Sequence, residues 1–200
     1  MILVPRSSAY LLASIISLGG IGCQLRRPNT TPTRTIEPQL LEPQLPEPVT
    51  QVIKDSNANP IQLLDTQARG DIGRHVLRLQ PNGELTQDAI WRWSSAPDQY
   101  LDTALRLEVA SSPAVRLVET GRAPALAATL LVWDLESTRE TRLLGAAEFQ
   151  VTGTDRVVLT QVVRISESVS AELPGDLAAA AGCILRRLAS QGFACVTSER

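Results

Sequence analysis

Apolar residues fall into three regimes along the chain. Residues 9–22 are almost wholly Leu, Ile, Ala, Gly and Ser; residues 24–60 are broken by Pro28, Pro32, Pro38, Pro43, Pro46, Pro48 and Pro60; from Ile61 onward apolar positions recur with strand and helix periods. The first regime follows Arg6 and is shorter than the ~20 apolar residues of a spanning helix, so it reads as a signal-peptide core. In the second, Glu37-Pro38-Gln39-Leu40 returns as Glu42-Pro43-Gln44-Leu45. Proline fixes φ and removes a backbone donor, which predicts an extended, semi-rigid spacer. About thirty-five such residues reach about 100 Å when taut. A second reading keeps Leu40, Leu41 and Leu45 as a strip that docks a partner.

The third regime predicts one domain over residues 61–200. Ile61, Leu63 and Leu64 suggest a strand, and the run from His75 to Leu79 alternates before Pro81-Asn82-Gly83 turns the chain into a hairpin partner ending at Trp93. Ser94, Ser95, Pro97 and Asp98 are residues that start helices, and Leu101, Ala104, Leu105 and Val109 give that helix an apolar stripe. Four strand-like runs follow over residues 115–118, 125–135, 141–151 and 157–169, with Ala147, Phe149 and Val151 sharing one face. A last helix is expected after Asp176 as its cap, with Leu177, Ala180, Ala181, Ile184, Leu185 and Leu188 on one side and Arg186 and Arg187 near its end. Strands, helix, strands, helix make an α+β fold: an antiparallel or mixed sheet with two helices packed on one face, preceded by a lipoprotein signal peptide (1–22) and a Pro-rich tether (23–60).

Composition narrows the function. With 44% hydrophobic and 20% charged residues the chain has the balance of a globular domain. A net charge of -2 argues against nucleic acid as a partner, since a phosphate backbone needs a basic footprint. The three cysteines, Cys23, Cys183 and Cys195, match no zinc spacing, and no metal or other cofactor is expected.

Candidate chemistry is correspondingly thin. His75, the one histidine, has no Cys or carboxylate at ligand or triad spacing and reads as an ordinary strand residue. Ser94, Ser95, Ser111 and Ser112 read as helix caps, and no Gly-x-Ser-x-Gly elbow occurs. No catalytic site is expected. Trp91 and Trp93 share a face of their strand and serve either as core or as a partner or lipid surface. Cys183 and Cys195 form a disulfide if the chain folds back after Gly192; otherwise Cys183 is a small apolar member of the last helix.

Leu18-Gly19-Gly20-Ile21-Gly22-Cys23 resembles a bacterial lipobox, with small residues leading into the cysteine that takes the acyl chains. The resemblance implies that Cys23 becomes the first mature residue, held in a membrane by those chains. Gln24, in place of the Asp that retains enteric-type lipoproteins at the inner membrane, points to the periplasmic face of the outer membrane.

Beyond the tether, Ile90-Trp91-Arg92-Trp93, then Ala96-Pro97 and Tyr100-Leu101, then Ser111-Ser112 and Arg116-Leu117-Val118 resemble the ABC-type transport auxiliary lipoproteins, the PqiC-like components of lipid-transport systems. In that family an Arg-Trp element followed by proline opens the first long helix. The chain departs from it in its long tether and in lacking the Tyr-rich strand that often follows the lipobox cysteine. The resemblance implies an accessory subunit that works with an MCE-type periplasmic protein and, through it, an inner-membrane ABC permease and ATPase. A structural or assembly lipoprotein of the envelope that handles no lipid is the alternative.

Overall fold

The computed structural model describes residues 32–40, 58–119, 122–137, 140–153, 156–170 and 173–197. The signal-peptide stretch and Cys23 lie outside the described residues. The elements in chain order are β1 (Arg34–Ile36), β2 (Asn59–Leu63), β3 (Gln67–Ala68), β4 (His75–Leu79), β5 (Leu85–Trp93), α1 (Pro97–Ser111), β6 (Val115–Leu117), β7 (Ala125–Ser137), β8 (Thr141–Thr152), β9 (Val157–Ser168) and α2 (Pro174–Thr197).

The strand β7 organises the sheet. One side of it pairs antiparallel with β8, and β8 in turn pairs antiparallel with β9. Along its other side lie β2, β3 and β4 in succession, all parallel to it. Beyond β4 come β5, antiparallel, and β1, parallel to β5. The sheet is therefore mixed. The short loops join its antiparallel neighbours, because only antiparallel strands can be linked by a hairpin.

The alternation in β7 is broken once, and usefully. Leu126, Ala128 and Leu130 are buried, and so are Trp133 and Leu135, two sets of opposite parity. A register irregularity between Leu130 and Val132 absorbs the extra residue and returns both sets to the same face. That face, with Leu143, Ala147, Phe149 and Val151 of β8 and Val163 and Ile165 of β9, forms the core. α2 packs over β8 and β9, and α1 lies against α2 and β7. Close approach depends on missing side chains: a β-carbon on Gly192 would stand 2.3 Å from the Phe149 ring.

α1 starts at Pro97, where a missing N–H costs nothing, and Ser112 leaves it in extended conformation just before Pro113. The N-terminal cap is Ala96, without a side-chain hydrogen bond, so Ser94 and Ser95 do not have the capping role expected of them. Both turn instead to the Tyr100 hydroxyl, which bonds the Ser94 hydroxyl and accepts from the Ser95 N–H at 2.9 Å. In the β4–β5 turn Gly83 has φ +82°, a conformation open to glycine.

Three expectations are corrected. The stretch expected to be tether is not free of the domain at residues 34–39: Ile36 is buried, Arg34, Thr35 and Ile36 pair with Trp91, Arg92 and Trp93, and the Gln39 N–H bonds the Ala178 carbonyl of α2 at 3.0 Å. Proline spacing hid this strand because its partner lies far along the chain. The last helix runs to Thr197, which places Arg186 and Arg187, expected near its end, in its interior and Asp176, expected as its cap, in its first turn. Finally, Cys183 and Cys195 stand on that one straight element. Twelve residues of helix separate Cα atoms by about 18 Å, well beyond the ~7 Å limit of a disulfide, and both thiols are free.

Candidate functional site

The two tryptophans expected to share a face do so, at different depths. Trp93 is fully buried and meets Trp133 edge-on, with ring centroids 5.7 Å apart at 60°. Both indole N–H groups are buried without a hydrogen-bond partner among the described residues. Trp93 is thus core. Trp91 is only partly buried, and the Arg34 guanidinium lies 5.5 Å from its ring centroid, within cation–π range.

Asp88 fixes this tryptophan's backbone. One oxygen of its carboxylate accepts the N–H groups of Ile90 and Trp91, each at 2.8 Å, while the other meets Arg78 at 2.6 Å. Burial pushes the Asp88 carboxyl up, but these backbone hydrogen bonds and Arg78 together hold it below its ordinary value.

On the face of β7–β9 opposite α2, Thr160, Val162, Arg164 and Ser166 of β9 are exposed. Here the sheet carries a groove of about 440 Å³ lined chiefly by Leu79, Val132, Asp134, Leu144, Ala146 and Arg164. Asp134 sits opposite Leu144 in the β7–β8 pair, and Arg164 sits opposite Ala146 in the β8–β9 pair. Desolvation raises the Asp134 carboxyl above its ordinary value, with a Trp133 backbone hydrogen bond pulling the other way. The groove is an apolar trough with one acid and one base on its walls, suited to binding. It went unpredicted, although Asp134 is the single charge in the apolar run from Ala125 to Leu135.

The remaining candidates stand apart. His75 is half-buried on β4 opposite Arg92. Cys195 donates to the Gln161 side chain at 2.9 Å, and Cys183 lies 3.5 Å from Glu167. Burial raises both thiols, and the Glu167 carboxylate raises Cys183 further. A thiol held protonated is a poor nucleophile. Among the described residues no three His, Cys, Asp or Glu side chains are grouped to hold a metal ion.

No family model and no curated protein matches the chain. Solved structures do. A Xanthomonas campestris protein assigned to the DUF330 family superposes with a TM-score of 0.60 at 16% identity, covering 84% of this chain and 95% of its own. A hypothetical protein of Chlamydia trachomatis gives 0.51 at 10% identity, covering 70% of this chain and 95% of its own. A minor lipoprotein of Acinetobacter baumannii superposes more loosely, at 0.46 and 12% identity over 71% of this chain and 94% of its own. At these identities the likeness is one of fold: the chain shares the α+β architecture of a DUF330 protein over nearly all of that protein's length.

Proposed function

We propose that the protein is a membrane-anchored, non-catalytic accessory subunit of an envelope lipid-transport system, held by acyl chains on Cys23 and working with an MCE-type periplasmic protein and, through it, an inner-membrane ABC permease and ATPase. The observation that carries this reading is the convergence of the residues that resemble the auxiliary lipoproteins. Trp91-Arg92-Trp93 ends β5, Pro97 opens α1, Ser111-Ser112 closes it, and Arg116-Leu117 lies in the strand that follows. The apparent departure from that family also narrows, because a strand, β1, does precede the domain and pairs with the Arg-Trp element itself.

Two further features support it. The groove on the open face of the sheet offers apolar surface with a carboxyl and a guanidinium, chemistry for holding a partner or an amphipathic molecule. The described thiols, Cys183 and Cys195, are both pushed up by burial, Cys183 further by the Glu167 carboxylate beside it. Gln24 directs the anchored chain to the periplasmic face of the outer membrane.

The test is affinity purification of the full-length chain beside Cys23→Ala, with identification of what co-purifies. An MCE-type protein recovered with the acylated form is the expected result. Recovery of unrelated envelope proteins alone would replace this reading with that of a structural lipoprotein.

A further inference from the structure

The sheet ends on a long strand with one open side. β9 pairs with β8 alone, in a ladder that runs without interruption from Leu159 to Ser168, and among the described residues no backbone group bonds its other edge. Every second residue of an edge strand turns its N–H and C=O outward, so donors and acceptors stand free along roughly 30 Å. Natural sheets protect such an edge with lysine, proline, a bulge or a covering element. β9 has no lysine, proline or glycine, and of its two charges, Arg164 and Glu167, the second is drawn onto α2 by Arg187. Its exposed side chains are apolar instead: Val157, Val158 and Val162 are three of the eight large apolar residues exposed among those described. A bare apolar edge is a template for another strand.

The helix layer selects which strand that is. α2 runs antiparallel to β9, with Arg187 bonded to Glu167 and Cys195 to Gln161, and α1 lies on its other flank. It packs on β8 and β9 alike, so its axis lies about half a strand spacing inside the edge. A second β9, added antiparallel across a two-fold axis normal to the sheet, brings its own α2 to the same face at two strand spacings, about 10 Å. Packed helices stand ~8–10 Å apart. A second copy of this chain therefore completes both layers at once. A lone extended peptide would complete the sheet and leave the outer flank of α2, with Gln191 and Ala194 exposed, uncovered. On such an axis opposed residues share a face, so the register joins residues of equal parity. Centred on Val162, it overlaps nearly the whole strand. Val162 then meets its own counterpart, Thr160 the counterpart of Arg164 and Leu159 that of Ile165, with no like charges opposed.

We propose that the protein forms a two-fold dimer in which two β9 strands pair antiparallel about Val162, joining two sheets into one and setting the two α2 helices side by side. The dimer requires neither the acyl anchor nor a transport partner. Native mass spectrometry of the full chain, released from detergent over a range of concentrations, reads the assembly. The expected mass is that of two chains. Val162→Glu sets two carboxylates against each other at the axis and is expected to return the mass to one chain. Leu85→Glu, at a similarly exposed apolar position on β5, is expected to leave the dimer whole. Val162→Cys supplies a readout that adds no charge: opposed β-carbons stand about 5 Å apart, so a short bis-maleimide is expected to join chain to chain well beyond the level seen with the unsubstituted protein. A mass other than two chains, a dimer that survives Val162→Glu, a dimer lost equally to Leu85→Glu, or Val162→Cys chains that do not cross-link would each overturn the proposal.

Discussion

Gly182 of α2 lies directly beneath the backbone of Gln39, so close that a β-carbon on the glycine would stand 2.1 Å from the Gln39 carbonyl oxygen. The contact is with main chain, which cannot rotate away. It holds the segment after β1 on the helix, next to the bond from the Gln39 N–H to Ala178. Gly182→Ala is expected to destabilise the domain by about 1–3 kcal/mol, the usual range for overpacking. Gly175→Ala, where a β-carbon meets nothing within 4 Å, is expected to change stability by less than ~1 kcal/mol. Urea unfolding of both variants checks the pair; equal effects would mean that residues 38–40 are not seated on α2.

The two tryptophans of β5 are expected to separate sharply under truncation. Trp93→Ala removes a buried ring from the edge-on pair with Trp133 and is expected to cost about 3–5 kcal/mol. Trp91→Ala loses a partly exposed ring and a cation–π contact of about 0.5–1 kcal/mol, together with the smaller area it buries. Denaturant midpoints for the two variants should differ in that order.

Asp88 and Asp134 are predicted to respond oppositely to pH. The folded-state value of Asp88 is lowered, so its contribution to stability is present above the unfolded carboxylate value and is lost as pH falls through the folded one. Asp88→Asn should therefore destabilise at neutral pH and much less in strong acid. Asp134 is raised, so its folded form favours the proton; stability is fullest below the unfolded value and declines as pH rises through the folded one. Asp134→Asn should raise the unfolding midpoint at pH 7 and leave it nearly unchanged below the ordinary carboxylate range. Thermal unfolding of the three chains from acid to neutral pH reads both effects.

The thiols Cys183 and Cys195 should alkylate slowly at pH 7 and faster as pH rises, since burial holds both above the ordinary thiol value. Intact mass after alkylation under denaturing, non-reducing conditions should count both as free. A missing pair of labels on the monomer would show a bridge that the straight course of α2 forbids.

The hairpin β4–β5, both helices and the runs of β6 to β9 were legible because each is written in local pattern, alternation or a three-to-four spacing. The missing parts share a cause: their stability is borrowed from distant sequence. β1 is three residues among prolines, and β3 is two; neither has a pattern of its own, and each exists through its pairing with β5 or β7. The disulfide alternative needed the chain to fold back after Gly192, yet the helix continues there, with the Phe149 ring in the space a side chain would need. For the candidate site, Trp91 and Trp93 were legible from their scarcity and spacing. The groove with Asp134 and Arg164 was not, since it arises only when β7, β8 and β9 lie side by side.

The central place of β7 also governs how the chain reaches this structure. β2, β3 and β4 all precede it in sequence and bond to its edge, and β1 waits for β5. A chain emerging from its N-terminus, whether from a ribosome or through a membrane, therefore releases strand after strand with unsatisfied edges before residues 125–137 arrive to receive them. High contact order of this kind makes folding slow and lengthens the exposure of apolar strands. The hairpin of β4 and β5 can close early; the rest must be kept apart from neighbours until the central strand is delivered, which makes the interval before β7 the vulnerable one for aggregation and for chaperone capture.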